Sequence, residues 1–94
     1  MISNEQRDFI LQTIRKEFPD SKVLAFGSRI RGDGHPYSDL DLAIDDGQPL
    51  PLYKLSHIEE ALAESDIPFK VDLLDFHMVD ADFQAIILSQ GKFW

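Results

Sequence analysis

Between Asp39 and Ile44 the chain alternates with a period of two: Leu40, Leu42 and Ile44 are apolar, and Asp39, Asp41 and Ala43 fall between them. Successive side chains of an extended strand point to opposite faces, so this segment buries its leucines as a strand with a core on one side and two carboxylates on the other. Such a strand needs neighbours to satisfy its backbone and a cover for its apolar face. The remaining sequence supplies both. Ser3 with Gln6 three residues later is a capping-box signature, and behind it Ile10, Ile14 and Phe18 recur every four residues with Leu11 alongside, which predicts a helix ended by Pro19-Asp20. Val23-Leu24-Ala25-Phe26 reads as a buried strand, Gly27-Ser28 as a turn, and Gly32-Asp33-Gly34-His35-Pro36 as a loop.

After the break at Asp45-Asp46-Gly47-Gln48-Pro49, Leu55, Ile58 and Leu62, with Ala61 beside them, predict a second amphipathic helix ending near Ser65-Asp66. Phe69-Lys70-Val71-Asp72-Leu73-Leu74 reads as a third strand. A last helix runs from Asp80 to Gln90, carries Phe83, Ile86 and Ile87, and stops at Gly91 as a C-terminal glycine. The order α-β-β-α-β-α predicts an α+β (α/β) architecture, a small mixed β-sheet with helices packed on it. There is no repeat, linker or shift of composition, so residues 1–94 are expected to form a single domain.

Charge narrows the function. Nine Lys and Arg stand against seventeen Asp and Glu, a net charge of −8. A surface of that sign disfavours general nucleic-acid binding, which needs phosphate neutralisation, and docking on an anionic membrane. The absence of cysteine excludes disulfides, thiolate catalysis and Cys-ligated zinc. No apolar run approaches the roughly 18 residues of a membrane span, and the N-terminal MISNEQRDFILQ lacks the pattern of a signal peptide, so a cytoplasmic protein is expected.

The acids of the predicted strands are costly where they stand. Asp39 and Asp41 share a strand face and repel one another, and Asp72 sits within an apolar strand where an unpaired carboxylate is expensive to bury. Two arrangements relieve this: a turn in which the pair is capped or solvated, or neighbouring strands that bring three carboxylates to one patch around a divalent cation. Hard oxygen ligands of this kind suit Mg²⁺, and two metals about 3.5–4 Å apart can clamp the attacking and leaving oxygens of a phosphoryl displacement. Upstream, Gly27 lets backbone amides approach an oxyanion, Ser28 adds a hydroxyl donor, and Arg29 and Arg31 add positive charge of a geometry suited to phosphate. No P-loop pattern is present.

Ten residues separate Gly27-Ser28 from Asp39-Leu40-Asp41, and a strand-borne acid follows at Asp72. This G-S, ten residues, D-x-D pattern in a strand–loop–strand setting resembles the DNA polymerase β-like nucleotidyltransferase superfamily, and within it the minimal nucleotidyltransferase (MNT) domains. The resemblance implies that Gly27 and Ser28 hold a nucleoside triphosphate, that Asp39 and Asp41 bind two Mg²⁺ ions, and that Asp72 completes the site of the metal nearest the attacking hydroxyl and helps to activate it. Asp75, three residues further on, falls on the opposite face of a continuing strand and ranks second. Arg29 and Arg31 lie outside the shared motif and read either as phosphate or partner contacts or as plain surface arginines. The reaction implied is in-line attack by an acceptor hydroxyl on the α-phosphorus of a nucleoside triphosphate, with release of pyrophosphate.

Ninety-four residues leave no room for a further domain to grip the acceptor, so part of the cleft is expected to come from a second subunit, a bound protein or the substrate. The acidic surface makes a protein acceptor the better fit. MNT proteins of this kind resemble antitoxins paired with HEPN-domain ribonuclease toxins, and the resemblance implies transfer of AMP from ATP to a tyrosine of the toxin. Two other readings are an antitoxin that inhibits by contact alone, and a small-molecule nucleotidyltransferase of the aminoglycoside-modifying type built from two subunits. A homo- or hetero-oligomer accommodates each of these. His35, His57 and His77 lack metal-ligand spacing and read as surface or structural residues; Phe9, Phe18, Phe69 and Phe83 read as core; Phe93 and Trp94 read either as an interface or as folding back onto the sheet, with the second preferred.

Overall fold

A computed structural model describes residues 2–27 and 39–94; Ser28, Arg29, Arg31 and His35 lie outside the described residues. The first helix, α1 (Asn4–Glu17), begins with the expected reciprocal cap. Ser3 Oγ accepts the Gln6 N–H and Gln6 Oε1 accepts the Ser3 N–H, both at 3.0 Å. The helix buries Ile10, Leu11 and Ile14 and closes at Phe18, whose N–H donates to the Ile14 carbonyl. Strands β1 (Lys22–Phe26) and β2 (Leu40–Asp45) follow, then α2 (Leu52–Ala63), β3 (Val71–Asp75), a single 3₁₀ turn (Phe76–Met78), α3 (Ala81–Gln90) and β4 (Lys92–Phe93).

The four strands form one sheet in the order β3-β2-β1-β4. Strand β1 pairs antiparallel with both β2 and β4, while β2 and β3 run parallel, joined by the α2 crossover that parallel strands require. Sheet alternation then sorts the side chains into two layers. On one face Val23, Ala25, Leu40, Leu42, Ile44 and Val71 pack against Ile10 and Ile14 of α1 and Ile58 and Leu62 of α2. On the other, Leu24, Phe26 and Ala43 meet Phe76 and Ile87, so α3 covers that face. Asp41 and Asp45 alternate with the leucines and share the α3 face with Ala43.

Polar anchors fix the lower end of the sheet. Asp75 is 8% exposed, and its two carboxylate oxygens accept the Leu50 N–H at 2.8 Å and the His77 N–H at 3.0 Å. Asp45 Oδ1 accepts the Gly47 N–H at 3.0 Å and pairs with His77 Nε2 at 2.6 Å. Partial burial pushes the Asp45 carboxyl up, but the Gly47 amide, the His77 hydrogen bond and charge, and Lys22 outweigh it and hold the group below its ordinary value.

Several elements differ from the sequence expectation. Strand β3 begins at Val71, with Phe69 packed half-buried against the core beside it. Phe18 is buried as expected, but Phe9 and Phe83 are 42% and 40% exposed, because each lies at the edge of its helix's buried stripe. Gly91 is not a left-handed cap: its φ is −82°. A Cβ there would stand 2.5 Å from the Ile87 carbonyl oxygen and 3.1 Å from that of Ala25, so close backbone approach selects the glycine. The chain then turns straight into β4, too short to leave a periodic signal. As expected, the C-terminus returns to the sheet: Phe93 pairs with Leu24, the Trp94 N–H donates to the Val23 carbonyl at 2.8 Å, and Trp94 packs on the core.

Two stability predictions follow from these anchors. Asp75→Ala leaves two amides without their acceptor at a buried position and should cost about 2–3 kcal/mol, lowering Tm by roughly 10–20 °C in calorimetry. Because Asp45 is depressed in the folded state, its contribution is present above its ordinary pKa and is lost as pH falls through the folded value. The acid limb of Tm against pH should therefore be shallower in Asp45→Asn than in the parent chain.

Candidate functional site

The site residues collect where β1 ends and β2 and β3 begin. In the β1–β2 register Phe26 stands opposite Asp41, and in the β2–β3 register Asp41 is level with Asp72. Leu40 and Val71, one residue earlier, both point into the α1/α2 core, so Asp41 and Asp72 share the opposite face. Both are half-buried. Asp39 is exposed at the mouth, immediately before β2.

Gly27 closes this corner from β1. Its φ is +86°, a conformation that L side chains rarely adopt, and a Cβ at this position would overlap the Asp41 carboxylate, coming within 3.1 Å of Cγ. Glycine is thus required twice: to turn the chain after Phe26 and to leave room for the acid on the neighbouring strand. Sequence reasoning named Gly27 as a turn residue; its contact with Asp41 follows from strand pairing.

Lys70 was not singled out from the sequence. Its carbonyl accepts the Leu40 N–H at 2.9 Å, which pins it beside Asp39 and the start of β2. Its Nζ lies 3.2 Å from Asp72 Oδ1. The hydrogen bond to Asp72, with the charges of Asp72, Asp39 and Glu59, raises the ammonium pKa above its ordinary value. The signal was available: residues 70 and 72 share a face of any strand that contains both.

The expected convergence is realised in part. Neighbouring strands hold Asp41 and Asp72 level, with Asp39 beside Lys70, yet among the described residues no group of three His, Cys, Asp or Glu side chains is gathered closely enough to grip a metal ion. The donor chemistry nevertheless fits magnesium. Asp39, Asp41 and Asp72 offer only hard oxygens at one end of the sheet, and the missing Cβ of Gly27 leaves room for the Asp41 carboxylate there. These three residues would hold the ion. Asp75 does not join them; its oxygens are taken by backbone amides on the far end of β3. His77 is engaged with Asp45, and His57 lies on α2 3.7 Å from Glu17, which agrees with their reading as structural or surface residues.

A polymerase beta nucleotidyltransferase family model matches residues 9–93, from the middle of α1 to β4. The chain belongs to that family. It is a nucleotidyltransferase by that membership, and its relatives agree. It is 42% identical over 86 residues, 92% of this chain and 75% of the other, to the Haemophilus influenzae protein named "Probable protein adenylyltransferase MntA". A crystal structure of a toxin–antitoxin with AMP-PNP superimposes with a TM-score of 0.80 at 28% identity, covering 98% of this chain and 73% of that one. A structure of the MntA–HepT toxin–antitoxin gives a TM-score of 0.74 at 22% identity, over 98% and 72% of the two chains, a likeness of fold.

The coupling of Gly27 to Asp41 can be measured. Gly27→Ala should destabilise the nucleotidyltransferase by about 1–2 kcal/mol through its positive φ alone, with a further cost from the displaced carboxylate. In a double-mutant cycle read by urea unfolding, that further cost should vanish in the Asp41→Ala background.

Proposed function

We propose that this nucleotidyltransferase is an antitoxin that transfers AMP from ATP to a tyrosine hydroxyl of a HEPN-domain ribonuclease toxin, with magnesium held by Asp39, Asp41 and Asp72. The observation that carries the reading is the level pairing of Asp41 with Asp72 behind the Gly27 turn, in a chain 42% identical to a relative named a protein adenylyltransferase. Likeness to a toxin–antitoxin with AMP-PNP supports both the nucleotide and the partner. A net charge of −8 supports a protein acceptor over a nucleic acid.

In this reading the acceptor oxygen bonds to the α-phosphorus, the bond from that phosphorus to the bridging oxygen of the β-phosphate breaks in line, and pyrophosphate leaves. Magnesium, when bound, supplies the positive charge that offsets the triphosphate and the departing pyrophosphate. Gly27 and Ser28 cradle the triphosphate, Arg29 and Arg31 contact phosphate or partner, and Asp72 draws the proton from the attacking hydroxyl. Most of the acceleration comes from orientation and from charge already arranged around the reacting group.

The test incubates the full chain and its HEPN-domain partner with Mg²⁺ and ATP labelled at the α-phosphate, followed by gel and mass spectrometry. Label is expected on a partner tyrosine, reduced at least about a hundredfold by Asp41→Asn or Asp39→Asn. A tight, inhibitory complex with no label would replace this reading with inhibition by contact. Label on an aminoglycoside without any partner would replace it with a small-molecule transferase.

A further inference from the structure

Carboxylates crowded at one end of a sheet repel one another, and Asp72 is paired there with Lys70. We propose that Lys70 is the resident counter-ion of Asp72, holding its carboxylate until a divalent cation displaces it. The inference rests on the assignment of Asp39, Asp41 and Asp72 as the cation ligands.

The two halves of Lys70 are held differently. Its backbone is fixed by the Leu40 N–H donated to its carbonyl at 2.9 Å, directly before β3 begins. Its side chain is 70% exposed and reaches along the strand to Asp72 Oδ1 at 3.2 Å. A pinned backbone beneath a solvated ammonium is the arrangement of a displaceable charge: the pair orients Asp72, but in high dielectric it is weak and breaks at small cost. A carboxylate oxygen that accepts from an ammonium is a poorer donor to a cation, and the ammonium also repels the arriving ion. Cation binding and the Lys70–Asp72 pair therefore compete, and each relieves the repulsion between Asp72 and its neighbours when the other is absent. Lys70 acts on the reaction as a positioning residue, through Asp72.

Mn²⁺ binding to the full chain without nucleotide, followed by the EPR signal of free Mn²⁺, tests this without reference to turnover. Lys70→Gln should tighten Mn²⁺ binding about two- to fivefold, the range an exposed ion pair supports. Lys70→Arg, whose planar fork grips a carboxylate more firmly, should weaken it. Lys16→Gln, an equal loss of charge on the last turn of α1, should leave Kd unchanged. Most of the gain from Lys70→Gln should disappear in an Asp72→Asn background. Equal Kd values for Lys70→Gln and the parent chain, or a full gain without Asp72, would overturn the proposal while leaving the cation site standing. Mn²⁺ binding that Asp41→Asn does not reduce would instead overturn the ligand assignment, and the role of Lys70 with it.

Discussion

The parallel pairing of β2 with β3 is the constraint on which the site depends. It places Asp41 level with Asp72, and it is held by the α2 crossover on one face and by the Leu40 N–H on the Lys70 carbonyl at the strand entrance. Because side chains alternate with a period of two, a slip of one residue in β3 would turn Asp72 into the α1/α2 core and bring Val71 to the carboxylate face. Leu40, Leu42, Ile44 and Val71 prevent that slip by being buried together. The apolar core and the placing of the candidate site are thus two readings of one register.

The four acids of β2 and β3 illustrate how environment divides a single residue type. Asp45 and Asp75 lie at the far end of the sheet with backbone amides donated to them, and their charges are spent on holding the 45–50 turn and the 3₁₀ turn against the strands. Asp41 and Asp72 lie at the opposite end, half-buried, Asp41 in the room that Gly27 leaves for its carboxylate and Asp72 beside a lysine that reaches in from an exposed position. A carboxylate with its oxygens filled by fixed amides is a structural brace. Asp72 instead pairs with the side chain of Lys70, which is 70% exposed, so its charge is not fixed by backbone amides.

The second face of the sheet is thinner than the first. Helix α3 buries Ile87 there, and Phe83 meets Phe26 edge-on with ring centroids 6.1 Å apart while staying partly exposed. Phe26 is the residue opposite Asp41, so this aromatic contact links the covered part of that face to its acidic end. The polymerase beta family model spans nearly all of these elements, which agrees with a site assembled from several strands rather than from one loop.

The sequence alone determined the elements and the acids. Period-two alternation marked β2, four-residue spacing marked α1 and α2, the Ser3–Gln6 box marked the first helix start, and the Gly27-Ser28 and Asp39/Asp41 spacing identified the family. These signals are local, carried by residues near one another in the chain. Strand β4, the role of Gly91, the exposure of Phe9 and Phe83, and the ion pair of Lys70 with Asp72 were decided by tertiary structure. A two-residue strand has no period to detect, and a glycine's need for space depends on which backbone passes beside it. A side chain's exposure depends on where its helix sits on the sheet. Spacing nominated Asp41 and Asp72, but only the pairing of distant strands made them neighbours, because register is fixed by what the whole core buries.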